Sequence, residues 1–412
     1  MTYRGIGSIA KNTLAMVLAG GKGERLSPIT IRRSKPSVPF GGKYKIIDFV
    51  LSNLFNSGIR KVYILTQYRA YSLNRHIRES WAKWTGLGEF FDTIQPETGS
   101  MSDEWFKGTA DAIYQNLRFI ESSGVDHVAI FGGDHIYKME VSQMLEYHIM
   151  NRADITIAAL EVSVDEAKRF GIFNVDDDLR VNSFVEKPTV PQPIPGRDTC
   201  FASMGNYIFS TRKLLEVLHE GKKRYDDLDF GKHVIPMMLE AGDKVYAYNF
   251  FDNCVPGMEV NERGYWKDVG TLESYYDANM DIVSPSPQLN LYNYQWPILT
   301  NQGNLPPAKS VFDDDDRRGQ NIDSLVCGGC ITSGGVVRRS IVGPCTKVNS
   351  FSLVEDSILF EHVEIGRHAR IRRAIIDENI SIPEGTVIGY DHDQDRQRGY
   401  TVTEGGIVVV SA

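Results

Sequence analysis

Long apolar runs are missing from this 412-residue chain, and no basic-apolar leader is visible at its start. A membrane-spanning or exported protein is therefore not expected, and the cytoplasm is the expected location. Cysteine is scarce. Cys200, Cys254, Cys327, Cys330 and Cys345 form an odd, scattered set that fits reduced thiols rather than a disulfide framework. Cys327-x-x-Cys330 has neither a second pair nor a histidine partner, so a zinc site is not expected there. Basic excess is also missing. The net charge of −8 argues against a nucleic-acid-binding role. No Gly-x-x-x-x-Gly-Lys-Ser/Thr segment occurs, which excludes a Walker A loop.

A glycine-rich turn does occur. Leu18-Ala19-Gly20-Gly21-Lys22-Gly23-Glu24-Arg25-Leu26 follows an apolar run, Leu14 to Leu18, that reads as a buried strand. Glycines let a backbone approach a ligand closely, and N–H groups exposed ahead of a helix N-terminus attract anions. The dinucleotide fingerprint fits poorly, because Leu26 stands where its third glycine belongs. Taken alone, the loop reads first as an ordinary strand-to-helix turn. The charge around it favours a polyanion. Lys22, Arg25, Arg32, Arg33, Lys35, Lys43 and Lys45 face a single acid, Glu24, in an otherwise acidic chain.

The first two-thirds of the chain alternates strand and helix patterns. Strands are expected at Leu14–Leu18, Lys61–Thr66, His127–Phe131 and Ile155–Val162. Helices are expected at Lys45–Ser57, Tyr71–Trp81, Thr109–Ser122 and Glu140–Asn151. This rhythm predicts a Rossmann-like, mostly parallel α/β sheet over residues 1–283, with ligands at the carboxyl ends of strands. Prolines 285, 287, 297, 306 and 307 mark a linker over 284–324. From 325 to 412 aliphatic residues recur every six positions: Val336, Val342, Val348, Val354, then Leu359, Ile365, Ile371, then Ile376, Ile382, Ile388. That period predicts a parallel β-helix. His362 and His368 are expected on its surface.

Two carboxylates stand out. Asp134 ends an apolar strand after Gly132-Gly133, where it suits a Mg²⁺ ion or simply caps the next turn. Asp268, in Tyr265-Trp266-Lys267-Asp268-Val269-Gly270, needs a partner if buried. Whether the two meet is open at this level. Glu186-Lys187-Pro188 reads as a surface pair or as a phosphate ligand, with proline holding Lys187 extended.

Together these motifs resemble the sugar-1-phosphate nucleotidylyltransferases. The shared segments, in order, are Leu-Ala-Gly-Gly-x-Gly-x-Arg-Leu, Lys35-Pro36, Gly132-Gly133-Asp134, Glu186-Lys187-Pro188 and Trp266-Lys267-Asp268-Val269-Gly270. Phe40-Gly41-Gly42-Lys43, Thr66-Gln67-Tyr68, Gly108-Thr109-Ala110-Asp111-Ala112 and Ala202-Ser203-Met204-Gly205 narrow the likeness. They point to the bacterial branch that moves the adenylyl group of ATP to glucose 1-phosphate, releasing ADP-glucose and pyrophosphate in the committed step of glycogen synthesis. The resemblance implies a left-handed β-helix, a homotetramer and control by anionic central-carbon metabolites.

It also implies roles. Leu18, Ala19, Gly20, Gly21, Gln67, Gly108 and Thr109 would surround the nucleotide. Arg25, Lys35 and Asp134 would be catalytic, with Asp134 and Asp268 holding Mg²⁺. Gly171, Glu186, Lys187, Ser203 and Phe106 would line the sugar-phosphate pocket, although Phe106 stands where tyrosine is frequent. Arg32, Arg33 and Lys45 would be allosteric, completed by Arg396 and Arg398. Three rivals share parts of this pattern: a transferase for another nucleotide or sugar, a non-catalytic regulatory subunit, and a β-helix acyltransferase. An intact Arg25, Lys35, Asp134, Lys187 and Asp268 speaks against the second, and the short β-helix against the third.

Overall fold

Thr13–Ala19 forms the centre of the first sheet, and its burial explains why. Leu14, Ala15, Met16 and Val17 are all fully buried. Leu14 and Met16 enter one apolar core, while Ala15 and Val17 enter another on the opposite face. A strand covered on both sides reads as a continuous apolar run. The computed structural model describes residues 6–96, 105–301 and 303–411.

Lys61–Thr66 and His127–Gly132 flank this strand in parallel, and Phe90–Ile94 extends the sheet beyond Lys61–Thr66. In register, Leu18 stands opposite both Leu65 and Gly132, so the glycine loop, Gln67 and Asp134 leave the sheet at one edge. The other half is antiparallel. Thr199–Ser210 pairs with His127–Gly132, with Ile155–Ser163 and with Gly171–Val175, which in turn pairs with Val181–Glu186. Val245–Asn249 lies parallel to Ile155–Ser163. A bulge between Ser203 and Tyr207 interrupts the long strand, with Gly205 at φ +72°. Bulges of this kind redirect side chains beside sites.

Two local expectations differ from what is seen. The segment expected as one helix over Thr109–Ser122 is two, Thr109–Tyr114 and Leu117–Ser123. Asn116 turns its amide back to Ala112 O at 2.8 Å, competing with the helix at the break. The glycine loop leads not into an α-helix but into a single 3₁₀ turn, Glu24–Leu26. Any anion there meets loop N–H groups without a long helix dipole behind them.

The C-terminal part is a left-handed β-helix with three parallel ladders. One runs through Lys309–Val311, Ile331–Ser333, Lys347–Val348, Glu364–Ile365 and Ser381–Ile382. Its first strand lies inside the stretch read from prolines as linker. After a first step of 16 residues, from Gln320 to Val336, successive coils up to Ile388 are offset by 17, Leu353 pairing with Arg370 and Ile358 with Ile375. The interior positions are therefore spaced five, six and six residues apart. Val337, rather than the expected Val336, is the fully buried one, followed by Val342, Val348 and Val354. Each lost residue is absorbed at a corner in left-handed conformation. Arg339, Asp356 and Arg373 (φ +44°, +47° and +50°) repeat this corner every coil. His362 and His368 occupy other corners and are exposed.

A third apolar core joins the two parts. Phe40, Phe49 and Tyr275 from the first pack with Ile358, Phe360 and Ile407 from the second. Arg33 is embedded at this joint. Its guanidinium makes ion pairs of 2.7 Å with Asp377 and 2.8 Å with Glu378, and its side chain is 4% exposed. Burial depresses its basicity, but the two carboxylates outweigh that and raise it. Lys45 reaches Glu361 at 3.9 Å across the same joint, and Arg32 is exposed.

Candidate functional site

A cavity of about 760 Å³ opens at the strand ends where the glycine loop, Gln67 and Asp134 converge. Leu18, Ala19, Gly20 and Gly21 form one wall, and Phe106, Gly108 and Thr109 face them. Glycine is required at two of these positions. Gly23 has φ +65°, and a Cβ on Gly108 would stand 2.3 Å from Leu228 O.

Lys35 sits on the cavity floor, buried, with its ammonium 2.9 Å from Asp134 Oδ2 and 2.7 Å from Asp268 Oδ1. The carboxylates, 134 residues apart in sequence numbering, are brought together by a three-residue antiparallel ladder that sets Asp268 opposite His135. Burial pushes the Asp134 carboxyl up, but Lys35 and His135 outweigh it and hold it well below the usual carboxylate range. Burial likewise lowers Lys35, and the two carboxylates reverse that and raise it. Asp134 and Lys35 are thus a charged pair.

His135 was not singled out from the sequence. Asp134, His135 and Asp268 offer ligand atoms within 4.8 Å of one another, the one such cluster among the described residues. Burial keeps His135 below its ordinary pKa, against the opposing pull of the Asp134 and Asp268 carboxylates. Asp134 lines the cavity and part-exposed Asp268 stands beside it, a pair that fits a hard divalent cation that also takes phosphate oxygens. Arg25 is exposed on the cavity rim, with a guanidinium nitrogen beside Gly270.

Gln67 binds the facing wall. Its Oε1 accepts from Phe106 N at 2.9 Å, and its Nε2 donates to Phe106 O at 3.5 Å. Trp105 stacks on Tyr68 with ring centroids 5.0 Å apart. Thr109 donates its hydroxyl to Asp229 Oδ2 at 2.8 Å.

Of the residues assigned to the sugar side, Phe106 lines that cavity, whereas Gly171, Glu186, Lys187 and Ser203 lie beyond its lining. Gly171 stands against Glu186, since a Cβ there would be 2.9 Å from Glu186 Oε2 and 2.3 Å from Phe184 Cζ. Gly231 approaches the same carboxylate from the other side, at 2.5 Å by the same measure. Lys187 reaches back to Glu186 at 3.2 Å. Its backbone is not extended, as the following proline predicts, but has φ +47°. Lys187 N is held by Phe170 O at 3.0 Å, and the chain must reverse there to leave the ladder. Tertiary bonding overrides the pre-proline preference, at the strain typical of functional turns. Ser203 is buried, and its Oγ accepts from Gly205 N at 3.2 Å in the bulge.

Two further residues connect the halves, and neither carried a local sequence signal. Tyr207 lines the cavity; burial raises its hydroxyl pKa, and the nearby Asp229 and Glu186 carboxylates add to that. Asp229 also lines it and accepts from Gly231 N and Lys232 N at 3.0 and 3.1 Å. Among the described residues no helix is long and apolar enough to cross a membrane.

Comparison with known proteins agrees with this arrangement. The nucleotidyl transferase family model matches residues 14–284, and a GlmU-like C-terminal hexapeptide model matches 306–410. A glucose-1-phosphate adenylyltransferase of Geobacter metallireducens is 76% identical over 405 residues, which cover 98% of each chain. One of Trichlorobacter lovleyi is 72% identical over 403 residues, again 98% of each. A more distant relative of the same name, from Deinococcus deserti, is 49% identical over 96% of this chain and 97% of its own. The chain belongs to the nucleotidyl transferase family, and within it to the glucose-1-phosphate adenylyltransferases.

Proposed function

We propose that this enzyme transfers the adenylyl group of ATP to α-D-glucose 1-phosphate, giving ADP-glucose and pyrophosphate, and that this is the committed step of glycogen synthesis in its cell. The observation that carries the reading is the Lys35 ammonium between two carboxylates on the floor of a glycine-walled cavity. The sugar phosphate oxygen is already a nucleophile, so no general base is needed. Catalysis then reduces to positioning and to stabilising charge around the α-phosphorus.

Lys35 would face the reacting phosphates, and exposed Arg25 would take the β- and γ-phosphates as a planar fork. Asp134 and Asp268 would hold Mg²⁺, which offsets charge on the departing pyrophosphate. Leu18 to Gly21, Gln67, Gly108 and Thr109 would surround the nucleotide. Lys187 would bind the sugar phosphate and Glu186 the hydroxyls, with Gly171, Ser203 and Phe106 completing that side.

For regulation, exposed Arg32 and half-buried Lys45 are the proposed contacts for anionic metabolites. Arg33, already paired with Asp377 and Glu378, supports a role in holding the joint rather than as a free ligand. We further assign catalysis to 1–283 and assembly of a cytoplasmic homotetramer to 325–412, with 284–324 between them. The test is pyrophosphate release with glucose 1-phosphate and a panel of ATP, UTP and dTTP, with Mg²⁺ added or chelated. ATP with Mg²⁺ is expected to give the highest kcat/KM, and preference for UTP would overturn the adenylyl assignment.

A further inference from the structure

We propose that Asp111 and Lys222, neither of which reaches the cavity, form a positioning pair that fixes the Trp105–Thr109 strip over its nucleotide end. This rests on reading that end as the place of ATP.

The apolar anchorage of the strip is limited to Phe106 at the edge of the core that holds Leu14 and to the stacking of Trp105 on Tyr68. Trp105 is 55% exposed, and Phe106 is half-buried. Its backbone is instead held through two consecutive N–H groups. Gln67 takes Phe106 N, and Asp111 Oδ2 takes Lys107 N at 2.9 Å. The Asp111 side chain is fully buried, so its charge must be matched within the protein. Oδ2 also accepts from Gln115 Nε2 at 2.8 Å, and Oδ1 accepts from Lys222 Nζ at 2.7 Å.

Lys222 extends the connection. It belongs to the last turn of the Thr211–Arg224 helix and also donates to Asp226 O at 2.7 Å. Asp226 in turn pairs with Lys107 Nζ at 2.6 Å. Asp111 N donates to Leu228 O, the same oxygen that excludes any side chain at Gly108. One buried ion pair thereby ties the strip to the 226–231 stretch, which carries Asp229 and Gly231 toward Glu186. A buried ion pair contributes little net stability compared with apolar residues of equal volume, and specifying one geometry is its better-attested use.

Asp111→Asn, Lys222→Met and Lys222→Arg test this in the full-length enzyme, by steady-state kinetics for each substrate, circular dichroism and thermal midpoint. Folded Asp111→Asn and Lys222→Met are expected to raise KM for ATP about tenfold, the scale of one lost charge-assisted hydrogen bond. The kcat is expected to hold, the KM for glucose 1-phosphate to rise less than that for ATP because Phe106 also borders the sugar side, and Lys222→Arg to recover most of the ATP KM. Hydrogen exchange at Phe106 and Lys107 is expected to quicken in the first two variants. Asp111→Asn preserves volume and covers the case in which Lys222→Met does not fold. An unchanged ATP KM in folded variants would overturn the proposal, as would equal losses for both substrates accompanied only by a lower midpoint. If the unmodified enzyme released no pyrophosphate from ATP and glucose 1-phosphate, the functional reading itself would fall instead.

Discussion

Removing the Lys35 ammonium should move a proton as well as slow a reaction. Its Nζ lies 2.9 Å from Asp134 Oδ2. At an effective dielectric of 20 that distance corresponds to about 6 kcal/mol of attraction before solvent is considered. The Asp134 side chain is 37% exposed, so water screens much of this. Retaining about a third leaves ~2 kcal/mol, or roughly 1.5 pH units. In Lys35→Met burial still raises the Asp134 pKa, and only His135 and a backbone hydrogen bond remain to lower it. Asp134 is the depressed kind of carboxylate in the unmodified enzyme, ionised throughout the neutral range. Its acid limb should therefore appear at higher pH in the variant, by about 1 to 3 units, the usual reach of one neighbouring charge. The assay is kcat/KM against pH at sub-saturating Mg²⁺, where protons and metal compete for the carboxylate. Turnover should also fall, by about a hundredfold or more, as when a preorganised charge-stabilising donor is lost. An acid limb at the same pH in both proteins would refute the reasoning, whatever happened to the rate.

Two other outcomes follow from geometry. Arg33→Ala strands Asp377 and Glu378 in a buried joint, and removing one partner of such a pair is destabilising by about 3–5 kcal/mol. Calorimetry should show a lower midpoint for the variant, and an unmoved one would mean the pairs are dispensable. Gly231→Ala pushes a Cβ to 2.5 Å from Glu186 Oε2, the mobile end of a side chain, so the carboxylate should shift at little cost in stability. The KM for glucose 1-phosphate is expected to rise while that for ATP holds, and a rise for ATP alone would place Glu186 on the wrong substrate.

The sequence made periodic elements readable and long-range meetings unreadable. Lys61–Thr66 could be marked in full because apolar and β-branched residues run between turn signals. The meeting of Asp134 with Asp268 could not, because it depends on a ladder of three residues joining distant segments. The six-residue rule found the solenoid but chose Val336 over Val337, since a 17-residue coil breaks the period once per turn. Lys187 obeyed a tertiary hydrogen bond instead of its proline neighbour. Arg33 and Arg32 look alike in a basic cluster, and only packing separates a buried strut from an exposed cation. Tyr207 and Asp229 carry no motif at all; burial and aim make them part of the cavity wall.

The core shared by Phe40, Tyr275, Ile358, Phe360 and Ile407 bears on how such enzymes can be recombined. A chimera that takes its transferase half from one relative and its solenoid from another, with the crossover near residue 300, would divide that core between two parents. Each half would bring apolar knobs shaped for a different set of hollows, together with an unmatched Arg33 or Asp377. Exchanges confined to outer corners such as those of Phe351 and His368, which stack on each other within the solenoid, leave the seam intact and are the safer boundaries for building hybrids.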